Sequence, residues 1–149
     1  DPAALTRHIE THYHAGHREA LPGLSERAHR VERVHEGVPG VPAGLGDLLD
    51  TFAARLSAHM AHEEETVFPA IRAGKPLGAV EARALQAEHA ANVEAIAAIR
   101  RLTGDITLPA GACRTWTALY DGLGAFVTDL EAHMRLEEEA LFAGEAHHG

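Results

Sequence analysis

Residues 52–68 read FAARLSAHMAHEEETVF and residues 126–142 read FVTDLEAHMRLEEEALF. At an offset of 74 residues, Phe52, Leu56, His59, Met60, Glu63, Val67 and Phe68 fall on Phe126, Leu130, His133, Met134, Glu137, Leu141 and Phe142. Apolar residues recur in each stretch at spacings of three and four, the mark of a helix with one buried stripe. The histidine and glutamate lie four apart on that stripe, so they stand one turn above each other on the face that seeks hydrocarbon. Ionisable groups there are costly unless something binds them.

Working outward, three Gly/Pro-containing breaks divide the chain: GVPGVPAGLG at 37–46, GKPLG at 74–78 and GDITLPAG at 104–111. They predict four long helices near 2–35, 45–72, 79–103 and 110–143. Asp1 followed by Pro2 fits an N-cap with proline at the first helical position. The first helix carries the stripe His14, His17, Leu21, Leu24, Ala28, Val31, His35, and the third carries Leu85, His89, Asn92, Ile96, Ile99. These two also align, at an offset of 75, with His14, Leu21 and Leu24 on His89, Ile96 and Ile99. The expected architecture is all-α: an antiparallel up-down-up-down four-helix bundle with an internal pseudo-two-fold repeat.

Bulk composition narrows the function classes. The 149 residues, 46% of them hydrophobic, suit one domain spanning 1–149. A formal net charge of −9 without a dense Lys/Arg cluster argues against nucleic acid or an anionic membrane surface as partner. No apolar run approaches the roughly 20 residues of a membrane span, and the chain opens on a polar segment, so a cytoplasmic location is expected. One cysteine, Cys113, cannot build a thiolate metal site alone. Any metal must be held by nitrogen and oxygen, and twelve histidines offer the nitrogen.

Helical rise places the candidates. Measured from the bundle end that holds residues 2, 72, 79 and 143, His14 sits about 18 Å up, His59 about 20, Glu63 about 14, His89 about 15, His133 about 15 and Glu137 about 9. Six inward polar residues from four helices thus share one layer, whereas His35 lies about 31 Å from His14 and is excluded. Four imidazoles and two carboxylates serve two metals if His14 pairs with His133 on one ion, His59 with His89 on the other, and Glu63 and Glu137 bridge them, together with an oxo or hydroxo group. Such ligation suits two iron ions, with manganese or zinc as acceptable substitutes.

The pattern resembles the hemerythrin-like HHE cation-binding family and, over nearly the whole chain, the iron-sulfur cluster repair di-iron proteins. The matching runs are THYHAGHREALPGL, RVERVHEGVPGVPAGL, HMAHEEETVFPAI, AEHAANVEAI, LTGDITLPAGACRTWTALYDGL and DLEAHMRLEEEALF. The resemblance implies ligand roles for His14, His59, Glu63, His89, His133 and Glu137. Oxygen-carrying hemerythrins place a second histidine four residues after the one on the third ligand helix; here that position is Val93, which implies an open coordination position. The repair proteins usually carry an N-terminal module with a cysteine pair, and this chain begins directly at the bundle.

The implied function is repair of iron-sulfur clusters under nitrosative or oxidative stress, by iron donation, by nitric oxide reduction, or both. Nitric oxide, dioxygen and damaged iron-sulfur proteins are then the partners. A hemerythrin-type oxygen-binding or redox and gas-sensing domain is the alternative, and a zinc-loaded structural bundle a third reading. Around the layer, His17 is expected to line a channel or support a ligand, and Glu88, about 100° around the helix from His89, to lie at the surface or at best to support a ligand from outside. His62, Glu64, Glu65, Glu138 and Glu139 read as solvated faces, His147 and His148 as an inactive tail, and Tyr13, Trp116 and Tyr120 as core aromatics. Cys113 sits near the far end of the bundle.

Overall fold

The computed structural model describes residues 1–142. Four long helices account for most of them: α1 over residues 2–34, α2 over 45–72, α3 (Ala79–Leu102) and α4 over 114–142. No strand occurs among the described residues. Asp1 caps α1 by accepting from the Ala3 amide at 3.2 Å, and Pro2 opens the first turn. The start of α4 at Arg114 corrects the expected 110: Gly111 at φ 80° and Cys113 in an extended conformation keep the connection open until then. The expected helix end at 143 and the tail histidines His147 and His148 lie outside the described residues.

Cross-helix pairs fix the directions. Glu10 meets Arg72 and Arg18 meets Glu64, so α1 opposes α2. His59 meets Glu88 and His62 meets Glu81, so α2 opposes α3. Arg100 meets Glu131 and His89 meets Glu138, so α3 opposes α4. His35 packs on Trp116 and Tyr13 on His133, which sets α4 against α1. The result is the antiparallel four-helix bundle that the periodicity predicts.

Three of the helices are interrupted by wide π-turns. They occupy Ile9–His14 in α1, Glu63–Val67 in α2 and Glu137–Phe142 in α4. His14 ends the first, while Glu63 and Glu137 begin the other two at equivalent positions of the internal repeat. Such turns carry one extra residue per hydrogen-bonded ring and are frequent at functional sites. Apolar spacing does not reveal them.

Hydrocarbon lies on both sides of the inward polar layer. The larger cluster runs from Leu21, Leu24, Leu49 and Phe52 to Leu123, Phe126, Leu130 and Met134, and includes the buried Trp116 and Tyr120. A smaller one at the opposite end holds Ile9, Val67, Phe68, Leu77, Ala82 and Leu85. Burial of apolar surface contributes roughly 25 cal/mol per Å², so these two clusters are the main source of stability.

The α1–α2 connection shows how the first hairpin is locked. Gly44, the N-cap of α2, has φ 94°, a conformation that side-chain-bearing residues rarely adopt. At Gly46 a Cβ would lie 2.5 Å from the His29 ring, so a larger residue there would push that imidazole aside. Glu32 spans the two, its Oε1 accepting from the Gly44 amide at 2.6 Å and its Oε2 from the Gly46 amide at 2.8 Å. A carboxylate there satisfies orphan donors and complements the helix dipole. Glu32→Ala is expected to cost about 1–2 kcal/mol, seen as a lower thermal unfolding midpoint; an unchanged midpoint would show that water serves those amides equally well.

Candidate metal centre

His14, His59, Glu63, His89, His133 and Glu137 meet in one buried layer, none more than 5% exposed. Their donor atoms form two overlapping groups, His14/Glu63/His133/Glu137 and His59/Glu63/His89/Glu137, each with all atoms within 4.8 Å of one another. Both carboxylates belong to both groups. The arrangement has the pairing and the sharing that helix heights predict.

Every imidazole presents Nε2 to the centre. His14 Nε2 lies 3.0 Å from Glu63 Oε1, His89 Nε2 2.7 Å from Glu137 Oε1, and His133 Nε2 2.8 Å from Glu137 Oε2. His59 Nε2 and Glu63 Oε2 stand 3.4 Å apart, and both lack a hydrogen-bond partner among the described residues. A buried nitrogen and a buried oxygen left unsatisfied are expensive. A cation between them would remove that cost, so the donor set fits a metal.

Each Nδ1 faces outward and has its own partner. Glu64 Oε2 accepts from His14 at 2.7 Å, Glu138 Oε1 accepts from His89 at 3.1 Å, and Glu88 Oε2 accepts from His59 in a short contact. His133 instead shares its Nδ1 with Nε2 of His17 at 3.1 Å. Partners of this kind fix the ring orientation and the tautomer of a ligating histidine.

Electrostatics differ around the ring. Burial pushes the pKa of each of these histidines down, but Glu63 reverses this at His14 and His59, and Glu137 does so at His89; His59 rises to about 9. At His133 burial outweighs the attraction of Glu63 and the pKa falls to about 3. His17 also falls to about 3, through burial and then repulsion from His133, His14 and His12. His133 and His17 are therefore neutral at physiological pH.

Several expectations for neighbouring residues need correction. Glu64 and Glu138 are not merely solvated: each sits next to an inward glutamate at the start of a π-turn and binds the histidine that glutamate also contacts. Glu88, exposed in part, takes the supporting role and backs His59 on the adjacent helix. Tyr13 is no ordinary core aromatic, since its ring stacks on His133 at a centroid distance of 5.5 Å. Val93 is 54% exposed, so in this chain it borders no coordination position; the inward residue one turn beyond His89 is the buried Asn92.

Other residues lie where the sequence places them. His17 is buried beside His133, Glu65 and Glu139 are exposed, and His62 pairs at the surface with Glu81. Trp116 and Tyr120 belong to the larger apolar cluster. Cys113 is exposed at the start of α4, and His35 packs against Trp116, both away from the layer. A cleft of about 270 Å³ between α2 and α3, lined by Arg55, Ala58, His59, Glu88, Ala91 and Asn92, reaches the layer at His59. No helix of the described residues is long and apolar enough to cross a membrane.

Comparison with known proteins bears on this centre. The chain is 40% identical over 141 residues to the iron-sulfur cluster repair protein YtfE of Cronobacter sakazakii, 39% over 143 residues to that of Escherichia coli O157:H7 and 38% over 143 residues to that of Citrobacter koseri. Each alignment covers 94% of this chain, and the chain spans 64% of the length of each relative. The family description "Hemerythrin HHE cation binding domain" matches residues 5–143, which include all six residues of the layer. With that match across nearly its whole length, the chain belongs to the hemerythrin HHE cation binding domain family.

Proposed function

We propose that these 149 residues form the single metal-holding domain of an iron-sulfur cluster repair protein, with two iron ions bound by His14, His59, Glu63, His89, His133 and Glu137. One observation carries the reading: two groups of four donors share both carboxylates at zero solvent exposure. Two neighbouring cations, each on two neutral imidazoles and both shared carboxylates, satisfy the pairing of that set, and nitrogen with oxygen donors suits iron. The names of the relatives supply the process. When bound, the irons would supply one-electron redox chemistry and a place for a diatomic such as nitric oxide; iron itself is the cargo if the protein donates it to a damaged cluster.

The chain's own residues give this chemistry its setting. Glu63 and Glu137 bring two negative charges into an apolar interior, which lowers the cost of holding positive charge there. Glu64, Glu88, Glu138 and His17 hold the four rings in position through Nδ1. The apolar clusters above and below exclude bulk water, while the cleft at His59 leaves a side approach for a small molecule or ion.

Protein expressed with ample iron is expected to carry two tightly bound irons per chain, and Glu63→Gln to retain one or fewer; elemental analysis with less than one iron in the unaltered chain would end the reading. The reduced protein is expected to consume nitric oxide or to restore activity to a nitric oxide-damaged iron-sulfur enzyme. Failure in both assays would remove the repair function while leaving the metal centre standing. Because His14, His59 and His89 hold protons above their ordinary range in the metal-free chain, cation uptake should release protons, and affinity should rise between about pH 6 and about pH 8. Calorimetry in buffers of different ionisation enthalpy measures that release, and pH-independent uptake would contradict it.

A further inference from the structure

The internal repeat is faithful at the six inward residues and broken just behind them. At the offset of 75 that superposes α1 on α3, three neighbours of the layer differ: Tyr13 stands for Glu88, His17 for Asn92 and Arg18 for Val93. In each pair one member acts on the Nδ1 side of a histidine: Glu88 on His59, His17 on His133 and Arg18, through Glu64, on His14. Glu88 accepts from His59, whereas Tyr13 only stacks on His133. His17 fills the gap with an imidazole in place of a carboxylate. Arg18 grips Glu64 with two bonds, Nη1 to Oε2 at 2.7 Å and Nη2 to Oε1 at 2.8 Å. At the equivalent of Arg18, Val93 points to solvent, and neither Glu138 nor Glu88 forms an ion pair with Arg or Lys among the described residues.

The consequence is an uneven charge around two otherwise matched positions. Behind His59 and His89 stand two carboxylates with no Arg or Lys partner among the described residues. Behind His14 and His133 stand a carboxylate already paired with Arg18 and an imidazole. A carboxylate accepting from Nδ1–H makes the opposite nitrogen a stronger donor, and altering one such partner typically changes metal affinity about 10- to 100-fold. The side chains of Glu88 and Glu138 are 44% and 50% exposed, so solvent screens part of their effect. Two partners on one side against one already paired with Arg18 on the other still favour a single direction.

We infer that the two cation positions are unequal: the His59/His89 position fills first and holds more tightly, and the His14/His133 position fills second and empties first. This rests on the proposed two-ion reading of the layer. Arg18 is thereby a positioning residue for the weaker site, acting through Glu64 and His14 without touching a cation. If iron is the cargo, the ion on His14 and His133 is the one released.

The test uses the full metal-free chain with cobalt(II) as probe. With one equivalent added, anomalous diffraction is expected to show cobalt between His59 and His89. Chelator competition in solution should give two dissociation constants at least about tenfold apart. Arg18→Met should narrow that gap by tightening the weaker site, and Glu88→Gln or Glu138→Gln should narrow it by loosening the tighter one. Cobalt found first on His14 and His133, equal occupancy at one equivalent, or variants that leave the gap unchanged would overturn the inequality while sparing the two-ion reading. A chain that takes up no cobalt in the layer at all would sink both.

Discussion

Two carboxylates with no access to solvent, Glu63 and Glu137, are the constraint around which this bundle is organised. An ionised group moved from water into hydrocarbon is unfavourable by several kcal/mol even after relaxation, and removing its partners makes it worse. Four imidazoles converge on the pair from all four helices, and every imidazole is in turn held from behind. Helix length, loop placement and the three π-turns all serve to bring these groups to one height. The apolar clusters stabilise the chain, but the polar layer decides which helices must meet and in what register.

The π-turns explain a feature that a uniform helix would not supply. In α2 the consecutive residues Glu63 and Glu64 contact opposite nitrogens of His14, and in α4 Glu137 and Glu138 do the same for His89. Adjacent residues on an α-helix diverge by about 100°. Widening the helix at this point lets one pair of glutamates clasp a ring from a neighbouring helix. The motif EEE at 63–65 and 137–139 thus contains one inward group, one group behind the ring and one exposed residue, in that order.

Much of this was legible in the sequence. Spacings of three and four along the chain identify the helices, and a constant rise converts residue number into height, which is enough to gather His14, His59, Glu63, His89, His133 and Glu137. What escaped was whatever depends on small rotations about a helix axis or on contacts between helices. Glu64 and Glu138 look solvated on an ideal helical wheel; both keep part of their surface in solvent yet reach Nδ1 of His14 and His89 from the π-turns. Glu88 looks remote from the centre because its partner His59 lies on another helix. The position four beyond His89, Val93, is exposed, while the stripe steps by three to the buried Asn92. Tyr13 carries no sequence signal that separates a packed ring from one laid against His133.

The unequal size of the two apolar clusters has a kinetic meaning. The polar layer lies toward the end closed by the smaller cluster of Ile9, Val67, Phe68, Leu77, Ala82 and Leu85, so the free energy needed to loosen that end is smaller than the free energy of unfolding the whole chain. Fraying of the first turns of α1 and the short Phe68–Arg72 segment would bare Glu63 and His14 while the opposite half stays folded. An ion held in the layer would exchange through such a breach at the rate of a local fluctuation, not of global denaturation.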